Sequence, residues 1–287
     1  MKLISDKRLF LIDTFIYIYK YYYYYNQFYK KNSILFGLVN FIINILIKKK
    51  PTYIIFVFDG KINKNYKKKY FINYKNNRKK IEINKDIYRI KKILYLLNIQ
   101  YINIKNIEAD DIIGSIITYS EKKGYINYIY TEDKDYYQLI SNNTFIIKKN
   151  IIINKNYILI KYNIKKINQY IDLISLIGDK SDNIPGIPYI GIKTASNLLN
   201  KYKNVENIFL NINNLEKNIK NKIKYYKYLV LLSKKMIKIN RYMKYNIIKK
   251  IIYRKKIYYI KFKKILYSIN KYLFNKKINL INKYLYL

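Results

Sequence analysis

Acidic residues that could bind metal ions are concentrated at a few places in this sequence. Nine of the 17 acidic residues either follow an apolar run or lie in a short cluster: Asp13, Asp59, Glu108, Asp110, Asp111, Asp133, Asp135, Asp179 and Asp182. Oxygen ligands without His or Cys favour hard ions, Mg²⁺ or Mn²⁺, over zinc. Two such ions about 4 Å apart activate water and stabilise the leaving oxygen in phosphodiester hydrolysis. The pattern therefore indicates metal-dependent hydrolysis of a phosphodiester.

The composition excludes several other kinds of chemistry. The 287 residues contain no Cys and no His, so disulfides, a thiol nucleophile, a Ser-His-Asp triad and an ordinary Cys/His zinc site are all ruled out. Lys and Arg number 58 against 17 acidic residues, and the net charge of +41 indicates a polyanionic partner. Nucleic acid is the first candidate, and an anionic membrane surface has only the net charge in its favour.

Two simpler explanations stand beside these interpretations. The sequence is rich in Ile, Lys, Asn and Tyr, as an A/T-biased genome would make it, so part of the charge could reflect codon usage. Any single acidic residue is well explained as a strand-end or helix cap. The full set is not, because so many carboxylates meeting in one crevice would repel one another without cations between them.

The elements that would position these residues form an alternating pattern in the first half of the chain. Apolar runs at 9–12, 53–58 and 125–130 are typical of buried strands, and helical patterns lie at 34–47, 85–97 and 109–122. This alternation predicts a mainly parallel α/β sheet, in which the carboxyl ends of the strands meet at one crevice. Glu108 and Asp111, three residues apart, would share a helix face. From about residue 171 the pattern is helical, with a further strand at 257–262.

A segment unusually rich in glycine and proline follows, from Gly178 to Ala195. Gly186 and Gly191 would allow a tight hairpin whose backbone N–H groups, at a helix start, can hold a phosphate. Lys193 could add positive charge to that contact. An ordinary connection between two helices explains the same residues equally well.

Together these segments resemble the 5′→3′ exonuclease/flap endonuclease family, in particular the N-terminal nuclease domain of bacterial DNA polymerase I. The matching stretches are Leu11-Ile12-Asp13, Val57-Phe58-Asp59, Glu108-Ala109-Asp110-Asp111, Thr131-Glu132-Asp133-Lys134-Asp135 and Gly178-Asp179-Lys180-Ser181-Asp182-Asn183-Ile184-Pro185-Gly186. They occur in the family's order over residues 9–200. The sequence departs from the family's pattern at Thr14, at Lys79-Lys80, and at Glu132, where a small residue is usual.

The resemblance implies two metal sites, with Mg²⁺ as the ion and Mn²⁺ as a substitute. Asp13, Asp59, Glu108 and Asp110, with Asp111 close by, would hold one ion. The second ion would be held or positioned by Asp133, Asp135, Asp179 and Asp182. Basic residues would contact the scissile phosphate: Lys20, Lys75 and Arg78. Further DNA contacts would come from an arch at about 63–80 and from the glycine hairpin, which commonly binds K⁺ in the family: Lys67, Tyr74, Gly186, Gly191 and Lys193.

The resemblance also implies a domain organisation and a biological setting. Residues 1–170 would form the α/β catalytic domain, with the PIN-like 5′-nuclease fold. Residues 171–255 would form a helical duplex-binding subdomain with its hairpin at 183–195, and 256–287 a basic tail. The expected substrates are DNA with a 5′ flap, a nick or an RNA primer. We further expect a cytoplasmic monomer that works with a separate DNA polymerase in replication and repair, without contact with a membrane.

Two alternatives remain open at this point. One is a non-catalytic DNA-junction-binding protein on the same scaffold. Replacement of several metal ligands by Asn, Ser or Lys would indicate this alternative. The other is a related single-stranded RNA nuclease, against which the glycine hairpin argues. The five tyrosines at 21–25 would either stack on splayed bases or, more simply, pack in the core.

Overall fold

A computed structural model of the protein describes residues 7–29, 32–49, 51–60 and 83–243. The predicted arch at 63–80 lies outside these residues, as do Lys67, Tyr74, Lys75, Arg78, the predicted strand at 257–262 and the basic tail. Within the described residues, no helix is long and apolar enough to cross a membrane.

The centre of the fold is a six-stranded sheet with the strand order β3-β2-β1-β4-β5-β6. The first five strands along the chain pair in parallel, and only β6 runs antiparallel, beside β5. Strands β1, β2 and β4 are mostly buried and have no exposed residue, as their β-branched and aromatic sequences lead us to expect. Their bounds, in chain order from β1 to β6, are Arg8–Asp13, Tyr53–Phe58, Gln100–Asn103, Ile126–Tyr130, Thr144–Lys148 and Ile151–Ile153.

Helices flank the sheet and form the second half of the described chain. The helices α1 to α9 are Thr14–Tyr29, Ser33–Lys49, Asn84–Leu96, Ala109–Lys122, Lys155–Tyr162, Gln169–Ile177, Ile192–Tyr202, Val205–Leu210 and Lys217–Ile237. Two 3-10 helices, Lys134–Leu139 and Ile212–Asn214, complete the described part. The predicted mainly parallel α/β sheet and the helical second half are therefore confirmed.

Two clusters of buried apolar residues lie on opposite faces of the sheet. One contains alternate residues of β1, such as Phe10 and Ile12, together with α1, α2 and α3. The other contains Leu9 and Leu11 together with α4, and it continues without a break through α6, α7 and α9 to Ile239. The helices of the second half thus share a core with the sheet, which holds the glycine-rich segment close to the carboxyl ends of the strands.

Candidate active site

A cavity of about 1580 Å³ lies at the carboxyl ends of the parallel strands. Residues at or just after the ends of five strands line it, as expected where parallel strands meet at one edge. Six of the nine acidic residues selected from the sequence are among them: Asp13, Asp59, Glu108, Asp110, Asp133 and Asp182. The structure therefore brings together residues from five separate sequence motifs in one acidic cavity.

Asp13, the last residue of β1, is one of two buried side chains among these acidic residues, the other being Asp182. Asp13 is 6% exposed, and its Oδ2 accepts a hydrogen bond of 3.1 Å from the hydroxyl of Thr131. Burial raises the pKa of Asp13 well above its usual value, and the nearby charges of Asp59, Asp133 and Asp110 raise it further, opposed only by the Thr131 bond. A carboxylate in this position is stabilised when a cation occupies the cavity.

Asp59 connects the end of β2 to the start of α4. Its Oδ1 accepts a hydrogen bond of 2.7 Å from the backbone N–H of Ala109, the first residue of that helix. Gly60 allows the two segments to approach, because a Cβ at this position would lie 1.9 Å from the carbonyl oxygen of Ile104. The first turn of α4, which carries Asp110, is thereby held at the cavity wall.

The acidic residues around α4 divide between two locations. Glu108 has an extended backbone immediately before the helix and lines the cavity. Asp111 does not line it, and its Oδ1 instead accepts a 2.7 Å hydrogen bond from the N–H of Asn240, in the segment that follows α9. The assignment of Asp111 as a neighbour of the first metal site remains a prediction.

The loop after β4 is organised by Thr131 and Asp133. The N–H of Asp133 donates to the Thr131 hydroxyl at 3.1 Å, and the Asp133 carboxylate caps the following 3-10 helix by accepting from the N–H of Asp135 at 3.0 Å. Thr131 thus links Asp13 on β1 to Asp133 after β4. Sequence reasoning missed this residue, although its place at the head of the Thr131-Glu132-Asp133-Lys134-Asp135 motif was the available signal.

Asp179 and Asp182 have different surroundings although they lie in the same short loop. Asp179 is 2% exposed and forms a 2.8 Å ion pair with Lys134, while Ser181 donates to it through both its N–H and its hydroxyl. Burial acts to raise the pKa of Asp179, but the bonds from Lys134 and Ser181 outweigh it and lower that pKa. Asp182 lines the cavity, whereas Asp179 and Asp135 do not, so their roles as metal ligands remain predictions.

The two glycines of the predicted hairpin have different structural roles. A Cβ on Gly186 would lie 2.2 Å from the carbonyl carbon of Ile177, so glycine is required there for close packing of the loop on α6. Gly191 immediately precedes α7 and has open space where its Cβ would be. Lys193 is exposed in the first turn of that helix. An incoming phosphate therefore has access to Gly191 and Lys193.

Several lysines border the cavity. Lys20 on α1 forms a 3.2 Å ion pair with Glu132, which lines the cavity together with Lys91, Lys134 and Lys148. The Lys148 ammonium donates a 2.6 Å hydrogen bond to the carbonyl oxygen of Glu132. Lys91, Lys134 and Lys148 were missed from the sequence, because lysine is too common in this chain to stand out.

The tyrosine run at 21–25 lies in α1 and is divided between core and surface. Tyr21, Tyr22 and Tyr25 pack against the apolar cluster, whereas Tyr23 and Tyr24 are 55% and 68% exposed. Tyr23 also lines the cavity. The core-packing explanation therefore accounts for three of the five rings.

The donor set of the cavity suits a hard divalent ion. Its acidic wall offers carboxylate oxygens alone, and the raised pKa of Asp13 reflects both its burial and the like charges that face it. As the side chains stand, no group of three or more acidic residues in the described ranges has the arrangement of a closed metal site. Asp59, Asp110 and Asp133 accept hydrogen bonds from nearby backbone N–H groups in this arrangement.

The family models that match the chain cover most of it. The "5'-3' exonuclease, N-terminal resolvase-like domain" matches residues 8–167, and the "5'-3' exonuclease, C-terminal SAM fold" matches residues 165–257. Among solved structures, the catalytic core of Rad2 in complex with DNA substrate superposes with a TM-score of 0.70 at 16% identity, covering 98% of this chain and 93% of that one. A T5 5′-exonuclease with bound zinc superposes with a TM-score of 0.66 at 19% identity, covering 82% of this chain and 90% of that one. These likenesses establish the fold.

Sequence relatives include stand-alone and fused proteins. The 5'-3' exonuclease of Buchnera aphidicola subsp. Acyrthosiphon pisum is 38% identical, with 73% of this chain aligned to 76% of that protein. The DNA polymerase I of Caldicellulosiruptor bescii is 34% identical over 61% of this chain but only 22% of its own length. With the family model matching more than half of its residues and this relative aligned over most of both lengths, the chain belongs to the 5'-3' exonuclease family.

Proposed function

We propose that this protein is a divalent-metal-dependent, structure-specific 5′→3′ exonuclease and flap endonuclease. The observation that supports this function most directly is the acidic cavity itself, in which six carboxylates from five motifs converge within a chain of net charge +41. The outer surface is suited to a polyanion, whereas the cavity is suited to cations that would bring the polyanion's phosphate into it. All nine predicted ligands remain acidic, which disfavours the alternative of a non-catalytic junction-binding protein.

The carboxylates would hold two Mg²⁺ ions. Asp13, Asp59, Glu108 and Asp110 would hold the first, and Asp133 and Asp182 would contribute to the second. Asp111, Asp135 and Asp179 would support them. When bound, such ions stabilise developing charge on a phosphate and make water a stronger nucleophile. Thr131 and the backbone N–H of Ala109 would orient Asp13 and Asp59 toward the ions.

Basic and hairpin residues would bind the rest of the substrate. Lys20, Lys75 and Arg78 would stabilise the phosphate charge, and Lys67 and Tyr74 would contact the 5′ single strand. Gly191 and Lys193 at the start of α7 would contact the duplex backbone, with Gly186 shaping the loop and K⁺ bound at the hairpin. The substrates would be 5′ flaps, nicks and RNA primers, processed by a cytoplasmic monomer beside a separate DNA polymerase.

The test uses the full chain and a 3′-labelled 5′-flap duplex, with and without Mg²⁺. We expect Mg²⁺-dependent cutting near the junction, lost in Asp133→Asn and retained in Glu206→Gln, which removes an acidic charge outside the cavity. Thermal unfolding gives a second readout, because ions that bind the folded state raise the midpoint by an amount set by their concentration and affinity. Asp133→Asn should show a smaller Mg²⁺-induced increase. Tight flap binding without cutting in Mg²⁺ or Mn²⁺ would instead establish the junction-binding alternative.

A further inference from the structure

The ion pair between Lys20 and Glu132 lies at the rim of the acidic cavity. The Lys20 ammonium is 3.2 Å from Glu132 Oε1, and it lies 5.5 Å from the centre of the Tyr17 ring. The two side chains are 42% and 22% exposed, so the pair remains accessible to solvent and to a ligand. Lys20 comes from α1 and Glu132 follows β4, so the contact joins two elements that border the cavity.

Glu132 adds a seventh carboxylate to a cavity wall that already carries six. It immediately precedes Asp133, and its backbone oxygen is held by the Lys148 ammonium at 2.6 Å. The backbone position of Glu132 is therefore fixed while its carboxylate reaches Lys20. A residue without charge at this position would leave the Lys20 ammonium available to an anion in the cavity.

We propose that Glu132 competes with the substrate phosphate for Lys20 and so weakens substrate binding. This inference rests on the proposed function, in which Lys20 contacts a phosphate. The ammonium must leave Glu132 before it can pair with a phosphate, and the freed carboxylate then repels that phosphate. Exposed ion pairs of this kind have strengths equivalent to about 1.4-fold to 5-fold in an equilibrium constant. Glu132 is thus an affinity-setting residue rather than a further metal ligand.

The test compares Glu132→Gln, which keeps the shape of the side chain, with the unchanged protein. Dissociation constants for the 3′-labelled 5′-flap duplex are obtained in Mg²⁺, from association and dissociation rates recorded before cutting, because cations must fill the cavity before a phosphate can enter it. KM and kcat are measured in the same buffer. We expect Glu132→Gln to tighten binding about 2-fold to 5-fold and to lower KM by a similar factor, with kcat unchanged. The concentration of Mg²⁺ that gives half-maximal activity should also stay the same.

Two controls identify Lys20 as the route of the effect. Glu206→Gln removes a carboxylate that pairs with Lys234 at 2.8 Å outside the cavity, so it makes the same change in net charge and should leave flap affinity unchanged. In a Lys20→Met background, the tightening caused by Glu132→Gln should disappear, because the ammonium for which the two anions compete is absent.

Each of the other outcomes would overturn the inference. Unchanged or weaker flap binding in Glu132→Gln would make Glu132 a positioning residue for Lys20. If flap binding tightened equally in Glu206→Gln, or when Glu132→Gln was introduced into the Lys20→Met background, the effect of Glu132→Gln would be one of net charge alone. A higher Mg²⁺ requirement would make Glu132 part of the metal site. If the unchanged protein neither binds nor cuts the flap, the proposed function fails as well, whereas any of the preceding results leaves that function intact.

Discussion

Buried aspartates in this protein differ in whether a positively charged side chain or other carboxylates surround them. Asp179 and Asp172 each have a lysine partner, Lys134 at 2.8 Å and Lys234 at 2.6 Å. Asp13 faces other carboxylates, and Thr131 supplies the one hydrogen bond that lowers its pKa. A protein keeps such a repulsive arrangement where function requires it. The contrast separates carboxylates that stabilise the fold from those available to a metal ion.

The role of Asp172 in stabilising the fold can be tested by replacing its partner Lys234, whose ammonium also contacts Glu206 at 2.8 Å. Lys234→Met leaves Asp172, 4% exposed, without its cation and should lower the free energy of unfolding at pH 8 by about 2–3 kcal/mol. This is less than the roughly 3–5 kcal/mol typical of a fully buried pair, because the Lys234 side chain is 24% exposed. Burial already raises the pKa of Asp172 despite Lys234, and removal of the lysine raises it further. Because Asp172 in the folded variant then binds a proton more tightly than it does in the unfolded chain, the loss of stability relative to the unchanged protein should shrink as the pH falls through that raised pKa. Urea unfolding of both proteins at a series of pH values measures this loss.

The double variant Lys234→Met/Asp172→Asn serves as the control. It removes the stranded charge together with its partner, so most of the stability at pH 8 should return and the pH dependence should weaken. A deficit that is the same at every pH, or is unchanged in the double variant, would mean that Lys234 contributes through the packing of its aliphatic stem rather than through its charge.

At the scale of elements, the buried strands and the acidic residues that meet at their ends were predictable from the sequence. The apolar runs predicted β1, β2 and β4, and the helix predicted at 34–47 is the mostly buried α2, Ser33–Lys49. The rule that parallel strand ends meet at one edge then brought Asp13, Asp59 and Asp133 to one cavity. These predictions succeeded because burial on both faces leaves a direct signal in residue type.

Other elements left no comparable signal. Strand β3 buries only Ile102, and β6 is a three-residue edge strand with one buried side chain, so backbone pairing defines both of them. Helix α1 was hidden in a tyrosine-rich stretch without contrast between apolar and polar positions. The bond from Thr131 to Asp13 depends on the register that sets Ile12 opposite Tyr130, and the sequence does not reveal strand register.

The glycine-rich loop provides a test of which of its residues serve the fold and which serve binding. Gly191→Ala adds a methyl group in open space at an ordinary φ of −95°, so the unfolding midpoint should hardly change. The same methyl group would obstruct a phosphate at the start of α7, and flap-duplex affinity should fall about 5-fold to 10-fold. Paired thermal unfolding and binding measurements on the full chain report both quantities.

Gly186→Ala is the matched control for this loop. Its Cβ would lie 2.2 to 2.4 Å from backbone atoms of Ile177 and Gly178, so this variant should lose stability, by about 2 kcal/mol or more. If Gly191→Ala lost stability as well, or kept full affinity for the duplex, Gly191 would belong to the helix connection alone. That result would favour the ordinary-turn explanation of the segment.

At the scale of the whole molecule, a strongly positive chain encloses a negatively charged cavity. The chain carries a net charge of +41, yet seven carboxylates line one cavity at the carboxyl edge of the sheet. A basic exterior attracts a nucleic acid from any direction, whereas the cavity repels phosphate until cations fill it. Binding and cutting should therefore respond differently to the ions in solution.

The salt dependence of binding distinguishes selected phosphate contacts from diffuse charge caused by codon usage. Because each phosphate neutralised releases counterions, flap affinity should fall roughly 10³-fold to 10⁵-fold between 50 and 200 mM salt if six to ten contacts form. Lys193→Ala, at the start of α7, should reduce the magnitude of the slope of log affinity against log salt concentration by about one.

Lys123→Ala is the control for this prediction. Lys123 lies just after α4, at the end of that 14-residue helix opposite Asp110 and about 21 Å along it, so the substitution should leave the slope unchanged. Equal reductions in the two variants would mean that the duplex meets the positive charge as a general field, in which no individual lysine is a specific contact. A smaller slope for Lys193→Ala alone would identify the start of α7 as a duplex contact, in a chain where lysine is otherwise too abundant to indicate one.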